Sequence, residues 1–187
     1  TPSRFLRKKK FDNTLHHEIE ETWIDENLST RIKEVSSQLQ ITINAMLQSC
    51  WGILFSKYIH AEDIVFGTVV SGRPPELAGV EEIVGLLINT IPMRMKIEKD
   101  LTYKELAQQV HAHFNKSQQY SYSPLTEIQA QTEVRNELID HIFIMENYPV
   151  ETNDDPDNKD SLSIKNMEFV EETNYDFNVI VNPGDRY

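Results

Sequence analysis

The stretch "EDIVFGTVVSGRPPELAGVEEIVGLLINTIPMRM", residues 62–95, decides how this chain is built. Its opening, DIVFGTVV (63–70), is continuously apolar and rich in β-branched residues, the pattern of an interior strand. INTIPMRMKI (88–97) reads as a second strand. Pro92 has no N–H for a ladder, which places that strand at an edge or a bulge. Between them, SGRPPELAGVEEIVG (71–85) holds three of the six glycines and two consecutive prolines. Such a composition predicts a long shaped loop. Loops of this length inside a compact domain are usually functional or else disordered.

Upstream, Leu28, Ile32, Val35 and Leu39 repeat at helical spacing and predict an amphipathic helix. Thr42 is an N-cap candidate for a second helix, with Ile43, Leu47, Cys50 and Leu54 on its apolar face and Met46, Trp51 and Phe55 widening that face. Residues 11–22 (FDNTLHHEIEET) alternate as a strand would. Downstream, Thr102-Tyr103-Lys104-Glu105 fits a capping box, opening a helix to about Tyr120 with Leu106, Val110 and Phe114 inward. Ser123-Pro124 suggests a shorter helix with Ser as cap and Pro at its first position. Strands are expected at 139–147, 164–171 and 175–182, and a polar loop at 151–161. Helices alternating with strands give an α/β fold with a mixed β-sheet flanked by helices.

The 187 residues suit one domain or one lobe of a larger one. Thirty acidic against 18 basic residues leave a formal charge of −12. An acidic surface repels phosphate backbones and anionic lipid, which argues against nucleic-acid and membrane partners. The basic run Arg7–Lys10 reads as a solvated entry segment. No apolar run approaches the ~18–20 residues of a membrane span, and no signal peptide opens the chain. A single cysteine, Cys50, permits no internal disulfide, as suits a reducing cytoplasm, and it reads as a small core residue.

Residue constellations for common chemistries are lacking. His16 and His17 are adjacent on an expected strand and point to opposite faces, while His111 and His113 diverge on a helix, so neither pair chelates a metal. SGRPPELAG has glycines but neither phosphate-binding pattern. Ser71 follows a strand, yet Gly-Arg-Pro-Pro after it denies the strand–turn–helix context of a nucleophile. From the residues alone, the chain is a cytoplasmic α/β lobe with one unusual loop.

Residues 62–95 go further, because they closely resemble the condensation domains of nonribosomal peptide synthetases. Those carry F-G-x-x-x-S-G-R, then P-x-E-L-x-G-[VI]-E, then V-G-x-F-[IV]-N-T-x-P-x-R. Phe66-Gly67, Ser71-Gly72-Arg73, Glu76-Leu77, Gly79-Val80-Glu81, Val84-Gly85, Ile88-Asn89-Thr90, Pro92 and Arg94 match in place, and Leu87 stands where the family has Phe. YSYSPLTEIQ (120–129) and VRNELIDHIFIMENYP (134–149) follow in family order, with Glu137 for the usual Pro. The resemblance runs from about Phe11 onward.

It implies a chloramphenicol-acetyltransferase-like lobe spanning residues 1–187, the C-terminal one of two. The family's catalytic signature, H-H-x-x-x-D-G, belongs to the other lobe. LHHEIEET copies only its doublet: Glu21 and Thr22 stand where Asp and Gly belong, so His16 and His17 are expected to be strand residues. Family members also continue past Tyr187 with another strand and helix. The related epimerization domains carry P-x-x-G-x-G-Y-G, which EIVGLLINTIP does not match.

By resemblance the whole enzyme forms an amide between substrates on the 4′-phosphopantetheine arms of upstream and downstream peptidyl carrier proteins, beside an adenylation domain. This lobe binds no cofactor itself, partners the N-terminal lobe, and is expected to be inactive alone. A carrier-binding scaffold without activity is the rival reading. Ser71, Gly72, Arg73, Asn89 and Thr90 are the tunnel and floor-loop candidates. Arg73 pairs with Glu76, Glu81 or Glu82 to pin the loop, or meets substrate; Asn89 faces the tunnel, or caps a bulge at the loop–strand junction.

Overall fold

Strands β1 (Asp63–Val70), β2 (Asn89–Lys96), β3 (His141–Met145) and β4 (Phe177–Val181) form a mixed sheet in the order β2-β1-β3-β4. The computed structural model describes residues 18–73, 77–146 and 173–182. β1 and β2 are antiparallel, while β3 runs parallel to both β1 and β4. Among the described residues β2 is an edge strand, as Pro92 requires, and Pro92 lies opposite Gly67.

Alternation assigns the faces. Ile64, Phe66, Thr68 and Val70 of β1 are buried beside Ile91, Met93 and Met95 of β2 and Phe143 of β3. Helices α2 (Ile43–Ile59) and α3 (Tyr103–Gln118) cover this face, α3 through Leu106, Ala107, Val110 and Phe114. Both helices start at the threonine caps the sequence shows: Thr42 accepts from the Ala45 N–H, and Thr102 and Glu105 form a full capping box. Helix α1 (Glu26–Leu39) packs on α2 and is capped by Asp25.

Helix α2 turns a different side inward than its apolar residues suggest. Ala45, Gln48, Ser49, Gly52, Phe55 and Ser56 are buried, whereas Leu54 is 60% exposed and Cys50 is exposed. Close approach is the reason. A Cβ on Gly52 would stand 2.3 Å from Met95 Sδ, so the small side of the helix meets the sheet. Cys50 is therefore not a core residue. Its Sγ lies 3.4 Å from the Tyr103 hydroxyl, and burial pushes that phenol's pKa up.

Two further expectations change. Residues 18–22 are not in a strand, and the rest of the 11–22 segment, with His16 and His17, lies outside the described residues. So do 151–161 and 164–171. Helix α4 (Leu125–Ala130) starts one residue later than expected, with Pro124 as N-cap and no side-chain cap.

Candidate functional site

One end of the sheet gathers the C-terminus of β1, the N-terminus of β2 and the loop between them. The chain leaves β1 at Ser71, whose hydroxyl accepts from the Arg73 N–H at 3.3 Å. Gly72 follows at φ 65°, and a Cβ there would lie 1.7 Å from the Leu87 carbonyl oxygen. The two ends of the loop thus run against each other, and only glycine allows that approach.

Arg73 then reaches across the loop. Its Nη1 donates to the Val80 carbonyl and its Nη2 to the Ile83 carbonyl at 3.0 Å. The guanidinium fork holds both sides of the short 3₁₀ turn Val80–Glu82, with Val80 buried beneath. Among the described residues the partners of Arg73 are backbone carbonyls, where the sequence suggests carboxylates. Glu76 and the Glu81 side chain lie outside what is described. Four apolar residues of the loop's second half point outward: Ile83 is 42% exposed, Val84 100%, Leu86 88% and Ile88 53%.

Asn89 ends the loop with its amide fully engaged. Nδ2 donates to the carbonyls of Ser121 and Ser123, at 2.7 and 2.8 Å, and Oδ1 accepts from the Thr90 N–H at 2.9 Å. Both amide hydrogens are taken. Ser123 N–H closes a turn onto the Tyr120 carbonyl at 2.9 Å. That turn and its link to Asn89 explain why Ser123 does not cap α4. Tyr120 and Tyr122 extend from it, 56% and 77% exposed. Thr90 continues into β2 opposite Val69, half-buried. Ser71, Gly72, Arg73, Asn89 and Thr90 therefore share one end of the sheet, joined there by the 120–123 turn, which no local pattern marks.

The described histidines His111, His113 and His141 lie elsewhere. His111 Nδ1 accepts from the Thr42 N–H at 3.5 Å, and His113 Nδ1 lies 3.2 Å from the Arg94 carbonyl. Among the described residues no cluster of three His, Cys, Asp or Glu side chains forms. His141 is fully buried in β3. Trp51 Nε1 donates to its Nε2 at 3.1 Å, so the proton sits on Nδ1, which donates to Asp140 Oδ1 at 2.6 Å. Strand alternation was the available signal, since His141 shares a face with Phe143 and Met145.

Residues 2–186 match the family model described as "Condensation domain". The chain is 42% identical over 164 residues to gramicidin S synthase 2 of Brevibacillus brevis, covering 86% of this chain and 4% of that protein. It is 40% identical over 186 residues to surfactin synthase subunit 2 of Bacillus subtilis (strain 168), covering 98% and 5%. It thus spans a small part of these relatives. Among solved structures it is similar to a four-domain nonribosomal peptide synthetase in its holo form bound to AMP and glycine (TM-score 0.61, 21% identity, 69% of this chain and 10% of that one). The first condensation domain of the CDA synthetase superposes with a TM-score of 0.59 at 11% identity, over 68% of this chain and 29% of that one. The fold is that of these α/β domains, and the chain belongs to the condensation-domain family.

Proposed function

We propose that this chain is the C-terminal lobe of a peptide-bond-forming condensation domain in a nonribosomal peptide synthetase. The whole domain joins an aminoacyl or peptidyl thioester on an upstream carrier protein to the amine of an aminoacyl thioester on a downstream one, beside an adenylation domain. Both substrates arrive on 4′-phosphopantetheine arms that belong to the carrier proteins. The amine attacks the thioester carbonyl, the C–N bond forms and the C–S bond breaks. The amine's excess proton passes, through a base, toward the leaving thiolate.

This chain contributes walls and floor. Loop 71–88 is the floor, and the base belongs to a separate lobe that carries H-H-x-x-x-D-G. One observation carries the reading: Arg73 holds the loop closed by two carbonyls while Ile83, Val84, Leu86 and Ile88 face outward. A loop fixed in shape with its apolar side turned out is built to be covered. Asn89 acts here as a junction, since its amide hydrogens are already engaged.

Amide formation between two loaded carrier proteins tests this. The complete two-lobed domain should turn over, and this chain alone should not. Turnover by this chain alone would show that the base lies within it. A complete domain that binds a loaded carrier protein but never forms the amide would favour the scaffold reading.

A further inference from the structure

Tyr122 combines exposure with an unusually constrained backbone. Its ring is 77% exposed, yet it lies inside the turn closed by the Ser123 N–H on the Tyr120 carbonyl. The carbonyls on either side of it, Ser121 and Ser123, are both held by the Asn89 amide. Asn89 Oδ1 also accepts from the Thr90 N–H in β2, so the end of the loop, the start of the strand and the turn form one unit. Ile88, next to Asn89, is 53% exposed at the same end of the sheet.

A tyrosine needs little ordering on binding, because it has two χ angles and here a fixed backbone. Its ring accepts flat groups on its face, and its hydroxyl donates or accepts one hydrogen bond at the rim. A phosphopantetheine arm offers suitable partners: an extended chain with flat secondary amides separated by methylenes.

We infer that Tyr122 contacts the amides of the carrier-borne arm and that Asn89 is the residue positioning it. This rests on the condensation reading and names a binding group within it. Ring and hydroxyl hold the arm in register, and Asn89 fixes where the tyrosine stands without touching substrate.

The test uses the complete condensation domain, a loaded donor carrier protein, and an aminoacyl-pantetheine thioester as the acceptor probe. Tyr122→Ala should raise KM for this probe about tenfold, the effect of one good contact, with kcat within about twofold. Tyr122→Phe should fall between, keeping the ring. Asn89→Ala should raise KM in the same way, and the double variant should add little, because the two residues act as one unit. With a plain alkyl thioester acceptor, which lacks the amides, wild type and Tyr122→Ala should perform alike.

An unchanged KM for the pantetheine probe in a Tyr122→Ala domain of normal Tm overturns the inference. So does a lowered Tm with kcat reduced equally for both probes, which would mark Tyr122 as packing against another polypeptide segment. A wild-type domain that forms no amide even between carrier-bound substrates would instead bring down the condensation reading itself.

Discussion

Around His141 the rings of Phe55, Trp51, Phe66 and Phe177 have their centroids 4.4 to 6.3 Å from the imidazole, and the histidine is fully buried among them. At loop 71–88 the apolar side chains Val84 and Leu86 are 100% and 88% exposed, and shape comes from the bonds of Arg73 and Asn89. Burial holds the first region, and a few directional bonds hold the second. Damage should therefore show differently. In the aromatic region it appears as lost global stability. In the loop it appears as local opening and lost function, because little apolar area is released when the loop lets go.

Trp51→Phe attacks the buried side of the comparison and should have the largest effect on stability. It removes the indole N–H and leaves His141 Nε2 without that donor inside an apolar shell. Losing a hydrogen bond to a buried acceptor costs about 1–3 kcal/mol. Thermal and denaturant unfolding of the complete domain should show that loss. Combining it with His141→Phe removes acceptor as well as donor, and Asp140, at 23% exposure, can turn to water. The double variant should then cost less than the sum of the single ones. Full additivity would mean that the N–H···N bond contributes nothing and the region is held by ring packing alone.

The same contrast explains what could be seen in the residues beforehand. β1, β2, α3 and the caps at Thr42 and Thr102 depend on neighbours in sequence, and periodicity and capping chemistry reveal them. Pro92 likewise announces an edge strand. Loop composition marked 71–85, but the partners of its polar residues stayed hidden. Arg73 was expected to find a carboxylate, because glutamates are visible in a sequence and folded carbonyls are not. Asn89 binds carbonyls 32 and 34 residues away, so nothing local distinguishes an amide locking a turn from one facing a tunnel. The inward side of α2 departs from its apolar spacing for a related reason. Apolar spacing rewards large residues, whereas Gly52 and Ala45 face the sheet because close approach there favours small ones.

Arg73→Ala sharpens the loop side. The guanidinium is surface-proximal and its partners are carbonyls that water can satisfy, so global unfolding should change by no more than about 1 kcal/mol. Exchange of the Glu82 and Ile83 amides, which bond to the Gly79 and Val80 carbonyls, should accelerate by about tenfold or more as the turn opens. Amide formation by the complete domain should fall with it. Arg73→Lys should not rescue exchange, because one ammonium cannot reproduce a fork spanning two carbonyls. If exchange stays at the wild-type rate, the loop is held by the buried Val80 and the close contact at Gly72, and burial shapes both regions.

Asp63 and Arg94 supply the smallest effect and a control belonging to neither region. Arg94 Nε and Nη2 meet the two carboxylate oxygens at 2.8 and 2.6 Å across the β1–β2 ladder. Hydrogen bonding from Arg94 holds the Asp63 carboxyl below its ordinary pKa, against a smaller opposing effect of burial. The folded chain therefore takes up a proton there less readily than the unfolded one. Its contribution is complete above the unfolded pKa of about 3.9 and is lost as pH falls through the lowered folded value. Both side chains are about half exposed, at 56% and 46%, so the pair contributes only about 0.2–1 kcal/mol and weakens in salt. Asp63→Asn should flatten the acid limb of the stability curve by that amount and leave loop exchange and amide formation unchanged. A larger loss, or any change in exchange at Glu82 and Ile83, would mean that the ladder transmits strain from its exposed end to the loop at the other, coupling what the contacts keep apart.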